Sequence, residues 1–325
     1  MAYIKNITPC NTPAQLLSEL RAFCLTHTTF TDAGSIGAGD LLCLKSPENW
    51  YYNFAFSTID IKTTCRNAKP SGNIMQGMSS FNGNVNNDYN LAETNGITYP
   101  IVSRHFFTNG KLVVMVLEVQ TGVYRHHAFG KFDMFGNGDG GEFVGGTAAS
   151  KVNNTVRLLP KQTSVGYYNH IQTGYLVHPF LFGLTSGYDN SSTSLTANKL
   201  TWIRYGAKFI PIGGTLYNTY STNIQYCVGY NTPFYGGDAN TYNGRSMLYP
   251  ILWSIMYSGS SSSSAMQTIQ QQPAFYTDLV ALVDTTRVIP EDVLNNDWVA
   301  FPLVTKSTNM VNETNTPYHG VAYKK

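Results

Sequence analysis

The sequence is short of charge. Only 12% of its 325 residues are Asp, Glu, Lys or Arg, about half of what soluble domains usually carry. No dense Lys or Arg run occurs and the formal net charge is +2. This argues against nucleic-acid binding through phosphate neutralisation. Long apolar runs are also missing. The longest stretches, "KLVVMVLEV" and "LYPILWSIMY", are about half of the roughly 20 residues a membrane helix needs, so no membrane span is expected. A basic-then-apolar segment is missing at the N-terminus, so Sec export is not expected. The N-x-[ST] triplets at Asn6, Asn153, Asn190 and Asn312 then carry no meaning. Cysteine pairs are missing as well. Cys10, Cys24, Cys43, Cys65 and Cys227 are scattered, odd in number and without a C-x-x-C. They read as reduced, mostly buried thiols of a chain made in a reducing cytoplasm. Finally, there is no G-x-S-x-G elbow and no H-E-x-x-H, so neither a serine-hydrolase nor a zinc-protease reading has support.

What is present is uncharged polarity and aromaticity. Tyr (22) and Gly (29) are high, and 42% of residues are hydrophobic, which indicates a globular chain. A surface of this kind suits burial against copies of itself better than life as a free monomer.

One helix is legible. In "NTPAQLLSELRAFCLTH", Thr12 is the predicted N-cap, Pro13 the first helical residue and Gln15 the partner of a capping box. Leu16, Leu17, Leu20, Phe23 and Cys24 fall on one face at helical spacing. The rest reads as strand. "DLLCLKS" and "WYYNFAFSTIDI" flank a "PEN" turn. "ITYPIVSRHFF", Asn109-Gly110 and "KLVVMVLEVQ" form a hairpin. Thr121-Gly122 then leads into "VYRHHAFGKFDMF", completing a three-strand meander over 98–135. "KLTWIRYGAKFIPI", "RSMLYPILWSIMY", "DWVAFPLVT" and "YHGVAYKK" are further strands. Strands and helices do not alternate, so the expected class is mainly β, an antiparallel, jelly-roll-like β-sandwich with a short N-terminal amphipathic helix. The expected organisation is a main β domain over 1–257 with a long loop at 67–90. A serine-rich linker or loop follows at 258–266, and a C-terminal β segment at 267–325 completes the same domain.

The stretch "YRHHAFGKFDMFGNGDGGEF" (124–143) concentrates the residues that could carry chemistry. On a strand, Tyr124, His126, Ala128, Gly130, Phe132 and Met134 share one face. Arg125, His127, Phe129, Lys131 and Asp133 share the other. The adjacent histidines point opposite ways and do not chelate one metal, and His126 reads as a satisfied core or interface residue. "GNGDGG" matches G-x-G-x-x-G at Gly136, Gly138 and Gly141, but "EFVGGTAAS" after it is not the helix a dinucleotide loop needs. Asp133, Asp139 and Glu142 lack the spacing of a calcium loop. A glycine-rich turn between strands is the preferred reading. His105, His170, His178 and His319 read as packing or interface residues. Trp50, Trp202, Trp253 and Trp298 are core candidates, with a carbohydrate platform as the alternative. No cofactor is expected.

The segment "TYPIVSRHFFTNGKLVVMVLEVQTGVYRHHAFGKFDMFGNGDGGEFVGGTAAS" resembles one that recurs in virion structural proteins of tailed bacteriophages. The N-terminal helix and the ending "DWVAFPLVTKSTNM…YHGVAYKK" fit the same group. The resemblance covers about 10–60, 98–150 and 286–325 and leaves about 160–285 open. It rests on turns and packing residues. It implies a non-enzymatic subunit of the tail, baseplate or neck, made in a bacterial host's cytoplasm and partnered by copies of itself and other virion proteins. It supplies no catalytic residues. The alternative is a receptor- or carbohydrate-binding module at the tail tip that takes a host surface glycan. Tyr230 and Tyr235, in the tyrosine-rich stretch 217–242, are the candidate ligand contacts. A polysaccharide-degrading enzyme would need two facing carboxylates. Residues 67–90 hold too few apolar residues to order themselves. Ile74, Met75, Met78 and Phe81 are the expected anchors of this loop across a neighbouring subunit.

Overall fold

A computed structural model describes residues 1–34, 41–67, 91–136, 138–146, 156–157, 184–185, 201–206, 208–211, 225–230, 247–258, 274–284, 289–302 and 320–325. The first elements are β1 (Ala2–Asn6), α1 (Pro13–His27), β2 (Thr31–Asp32), β3 (Leu41–Lys45), β4 (Tyr51–Phe56), β5 (Asp60–Arg66) and β6 (Leu91–Asn95). Then come β7 (Ser103–Thr108), β8 (Leu112–Gln120), β9 (Val123–Lys131), β10 (Asp133–Phe135) and β11 (Gly140–Gly146). After β12 (Val156–Arg157) and β13 (Leu184–Thr185) follow β14 (Thr201–Tyr205), β15 (Lys208–Pro211) and β16 (Gln225–Tyr230). The last are β17 (Met247–Ser258), β18 (Ala274–Asp284), β19 (Val293–Leu294), β20 (Trp298–Pro302) and β21 (Gly320–Lys324). The protein is mainly β, its paired strands are antiparallel, and its one helix among the described residues lies near the N-terminus.

The organising element is a seven-stranded sheet in the order β1-β7-β8-β9-β11-β14-β15. Its centre explains the most apolar run in this part of the sequence. Along β8, Leu112, Val114 and Val116 enter one core, while Val113, Met115, Leu117 and Val119 enter the other. A strand covered on one face alternates apolar with polar; one covered on both reads as a continuous apolar run. "KLVVMVLEV" is therefore the middle strand of a three-layer stack. Burying each of its Val, Leu or Met side chains contributes roughly 1.5–3 kcal/mol.

One covering layer is the five-stranded sheet β2-β3-β4-β5-β6 together with α1. The helix starts as expected: Thr12 accepts from Gln15 N at 3.2 Å. Gln15 reaches back to Asn11 N (3.1 Å), one residue earlier than in an ordinary capping box. Leu16, Leu20, Phe23 and Cys24 are buried, and Phe23 stacks on Phe106 of β7 at 5.4 Å. The other covering layer is the sheet β16-β17-β18-β21-β20-β19, which β10 joins by pairing with β18. It closes the opposite core with Phe275, Leu279, Phe301, Val321 and Tyr323. The sandwich is thus extended by a third layer.

The meander over 98–135 is realised as β7, β8 and β9, with Gly110 and Gly122 at positive φ in the two turns. Two expected single strands are hairpins instead. "WYYNFAFSTIDI" breaks after Phe56, where Ser57 Oγ accepts from Ile59 N and Asp60 N, and the chain turns into β5. "KLTWIRYGAKFIPI" folds at Gly206 (φ 59°) into β14 and β15. Cys10, Cys24, Cys43 and Cys65 are buried and stand outside any disulfide. The serine-rich stretch beyond Ser258 lies outside the described residues, as do Ile74, Met75, Met78 and Phe81.

Candidate functional site

Strand β9 carries the two histidines into different layers. His126 Nδ1 lies 2.7 Å from the Tyr323 hydroxyl, and its ring packs edge-on to Phe301. His127, on the opposite face, is fully buried between Thr63 Oγ1 (2.7 Å from Nε2) and Thr94 Oγ1 (2.8 Å from Nδ1). Thr94 donates its proton to the His126 carbonyl. It then accepts from His127 Nδ1–H, and in the neutral ring Nε2 accepts from Thr63, so both nitrogens are satisfied. Burial pushes its pKa down to about 3. Among the described residues no group of three or more His, Cys, Asp or Glu is placed to hold a metal.

The glycine run is the turn by which the chain leaves the middle sheet, pairs through β10 with the third layer, and returns as β11. Gly141 sits at φ 99°, where a Cβ would stand 2.2 Å from the Phe132 carbonyl oxygen. The backbone here closes on the Phe132 peptide between β9 and β10. The acidic residues of the run are divided. Asp133 takes Lys111 Nζ at 2.8 Å, whereas Asp139 and Glu142 converge on Arg204. The Arg204 guanidinium also lies over the Trp50 ring at 4.5 Å. Its hydrogen bond holds the Asp139 carboxyl below the usual range. These three carboxylates form no calcium cage. Beside Glu142 is a cavity of about 20 Å³, lined in part by Tyr52, Lys111, Lys131 and Glu48. That is room for one water-sized group and for no organic substrate.

A second constellation was not visible in the sequence. His105 Nε2 faces Glu291 Oε1 at 3.2 Å, and its Nδ1 faces the Tyr3 hydroxyl at 3.0 Å. Lys5 binds the other Glu291 oxygen. The order hydroxyl, imidazole, carboxylate resembles a nucleophilic relay. Burial, with help from Glu291, pushes Tyr3 up to about 12, and burial pushes His105 down to about 4, so at neutral pH the phenol is protonated and the imidazole neutral. The group ties Glu291 to β1 and β7. Glu291, at φ 64°, is 186 positions from His105, a separation no local motif reveals.

The described surface offers one aromatic platform. Phe135 is 57% exposed and stacks on Tyr276 with centroids 4.3 Å apart and planes 18° from parallel. Tyr230 is the last residue of β16, opposite Trp253 in the strand pairing, and Tyr235 lies outside the described residues. Trp202 is buried, and Trp50 and Trp298 are half-buried under Arg204 and Lys324. Compared with known proteins, the chain matches no protein-family model and no curated protein.

Proposed function

We propose that the chain is a non-enzymatic structural subunit of a tailed-phage virion, in the tail, baseplate or neck. It is made in the bacterial cytoplasm and assembles with copies of itself and with other virion proteins. The observation that carries this reading is the use made of the buried charges. Arg104 ties β7 to Glu19 of the helix, and Arg204 ties β14 to Glu142 and Asp139. The Tyr3, His105 and Glu291 group fastens one layer to another. These ionisable groups join neighbouring elements to one another, and the cavity beside Glu142 has room for one water-sized group. The low charge and the phage-like segments of the sequence support the same reading. Native mass spectrometry of the purified chain, with proteomics of intact particles, tests it. A homo-oligomer found in particles is expected; a monomer absent from particles overturns it.

A second reading, a glycan-binding module, is favoured by the exposed Phe135–Tyr276 stack.

A further inference from the structure

We propose that the Phe135–Tyr276 stack is a binding site for one pyranose ring of a glycan. The proposal rests on the glycan-binding reading and moves the contact away from Tyr230 and Tyr235.

The site is assembled from two strands and a turn. Asp133 lies opposite Tyr276, and Phe135 opposite Ala274, in the antiparallel pair of β10 and β18. Residues directly opposite, and those two apart along a strand, share a face. Asp133, Phe135, Tyr276 and Asp278 therefore stand on one side of the ribbon. The turn between β7 and β8 closes the flank: Lys111 Nζ binds Asp133 Oδ1 at 2.8 Å, and Asn109 Nδ2 binds Asp278 Oδ1 at 2.9 Å. These ties orient both carboxylates and leave the second oxygen of each as an acceptor. An aromatic face is electron-rich and attracts the partly positive C–H bonds of a sugar's apolar side. Carboxylate oxygens at the rim accept from its hydroxyls.

Size and charge choose the occupant. A ring of this type presents on the order of 100 Å² when half exposed, whereas a stable protein partner needs about 800 Å² per side. The cores of protein interfaces are also depleted of charge, yet three charged side chains crowd this pair of rings. The dimensions are those of a single sugar.

The test titrates the full chain by calorimetry with oligosaccharides ending in glucose, galactose, N-acetylglucosamine or rhamnose. At least one is expected to bind. Phe135→Ala should weaken it about ten-fold or more, with a melting temperature lowered only slightly, because the side chain is 57% exposed and loses just its stack on Tyr276. Phe135→Trp should retain binding, and Tyr230→Ala should leave it unchanged. Equal binding by Phe135→Ala overturns the assignment. If Tyr230→Ala abolishes binding instead, the glycan reading stands and this placement falls. If none of the oligosaccharides binds, both fall, while the subunit reading is untouched. If Phe135→Ala alters only the oligomeric mass, the rings are a protein contact and the proposal is wrong.

Discussion

The two faces of the middle sheet are built from the same strands and closed by different means. One face meets the helix and the strands that lie between β1 and β7 in sequence. Ties cross it: Arg104 to Glu19, His127 to Thr63 and Thr94, and Arg204 over the Trp50 ring. The other face meets strands from the C-terminal part of the chain, and its seal is largely aromatic. There Phe107, Tyr124, Phe301 and Tyr323 pack ring to ring. Adjacent residues show the difference. His127 has both ring nitrogens matched by hydroxyls, whereas His126 sits among rings with a tyrosine hydroxyl as partner. The division is one of weight: Phe30, Tyr52 and Phe129 also pack ring to ring on the first face, and Glu291 with His105 and Tyr3 also crosses the second.

The largest expected effect comes from breaking the polar face. Arg204→Met leaves the fully buried Glu142 carboxylate with only Lys131, 3.7 Å away, in place of its close Arg204 contact, and denaturant titration should show a loss of about 3 kcal/mol or more. Arg204→Met with Glu142→Leu should be milder, since no buried charge is then stranded. A double variant no better than the single would mean the pair contributes through packing alone.

Next come truncations that probe each face from one strand. Leu112 points into the aromatic core and Leu117 into the polar-tied one, and both are fully buried. Changing either to Ala should cost about 2–5 kcal/mol. A cost near zero at Leu112 or Leu117 would mark the layer it faces as loosely docked.

Acid should act through the histidines. His105 and His127 have folded pKa values of about 4 and about 3, below the ordinary value near 6.5. The unfolded chain thus binds more protons than the folded one in this range. Stability is full above about pH 6.5 and is lost as the pH falls through that value toward the folded pKa values. The slope is at most about 1.4 kcal/mol per pH unit for each histidine. Urea midpoints measured from pH 7 to pH 4 should fall for the parent chain and fall less for His127→Gln. Parallel curves would show that His127 titrates normally.

The smallest effect is at the helix start. Thr12→Ala removes the cap on Gln15 N and should lower stability by about 1 kcal/mol. Asn109→Ala, in a different turn, serves as the comparison, because Asn109 Oδ1 accepts from both Lys111 N and Leu112 N.

Much of this comparison was legible in the sequence because it is local. The helix cap, the Asn109-Gly110 turn and the alternation of β9 are set by residues within a few positions of one another. The opposite directions of His126 and His127 followed from the strand period alone. The third layer was legible only in part. Its strands β17, β20 and β21 were read as strands, but long polar stretches between them hid their grouping, and "AFYTDLVALVD" (β18) lacks strict alternation where its pairing with β17 shifts register between Thr277 and Ala281. β1 was missed because "AYIKN" is too short to show a period. The break at Ser57 carries neither Gly nor Pro, since a serine hydroxyl makes the turn. The same limit applied to sites. Phe135 and Tyr276, or His105 and Glu291, meet only through sheet pairing or layer packing, and tyrosine density drew attention to 217–242 instead.

If one sheet serves two cores, the three layers should unfold together. Native-state hydrogen exchange measures this most directly. The account predicts that amides of Val113–Leu117 in the middle sheet, Tyr52–Phe54 in one covering layer and Leu279–Ala281 in the other exchange at the same free energy, that of global unfolding. Exchange from Leu279–Ala281 or Tyr52–Phe54 at a distinctly lower free energy, with the middle sheet still protected, would show a separately unfolding layer and contradict it.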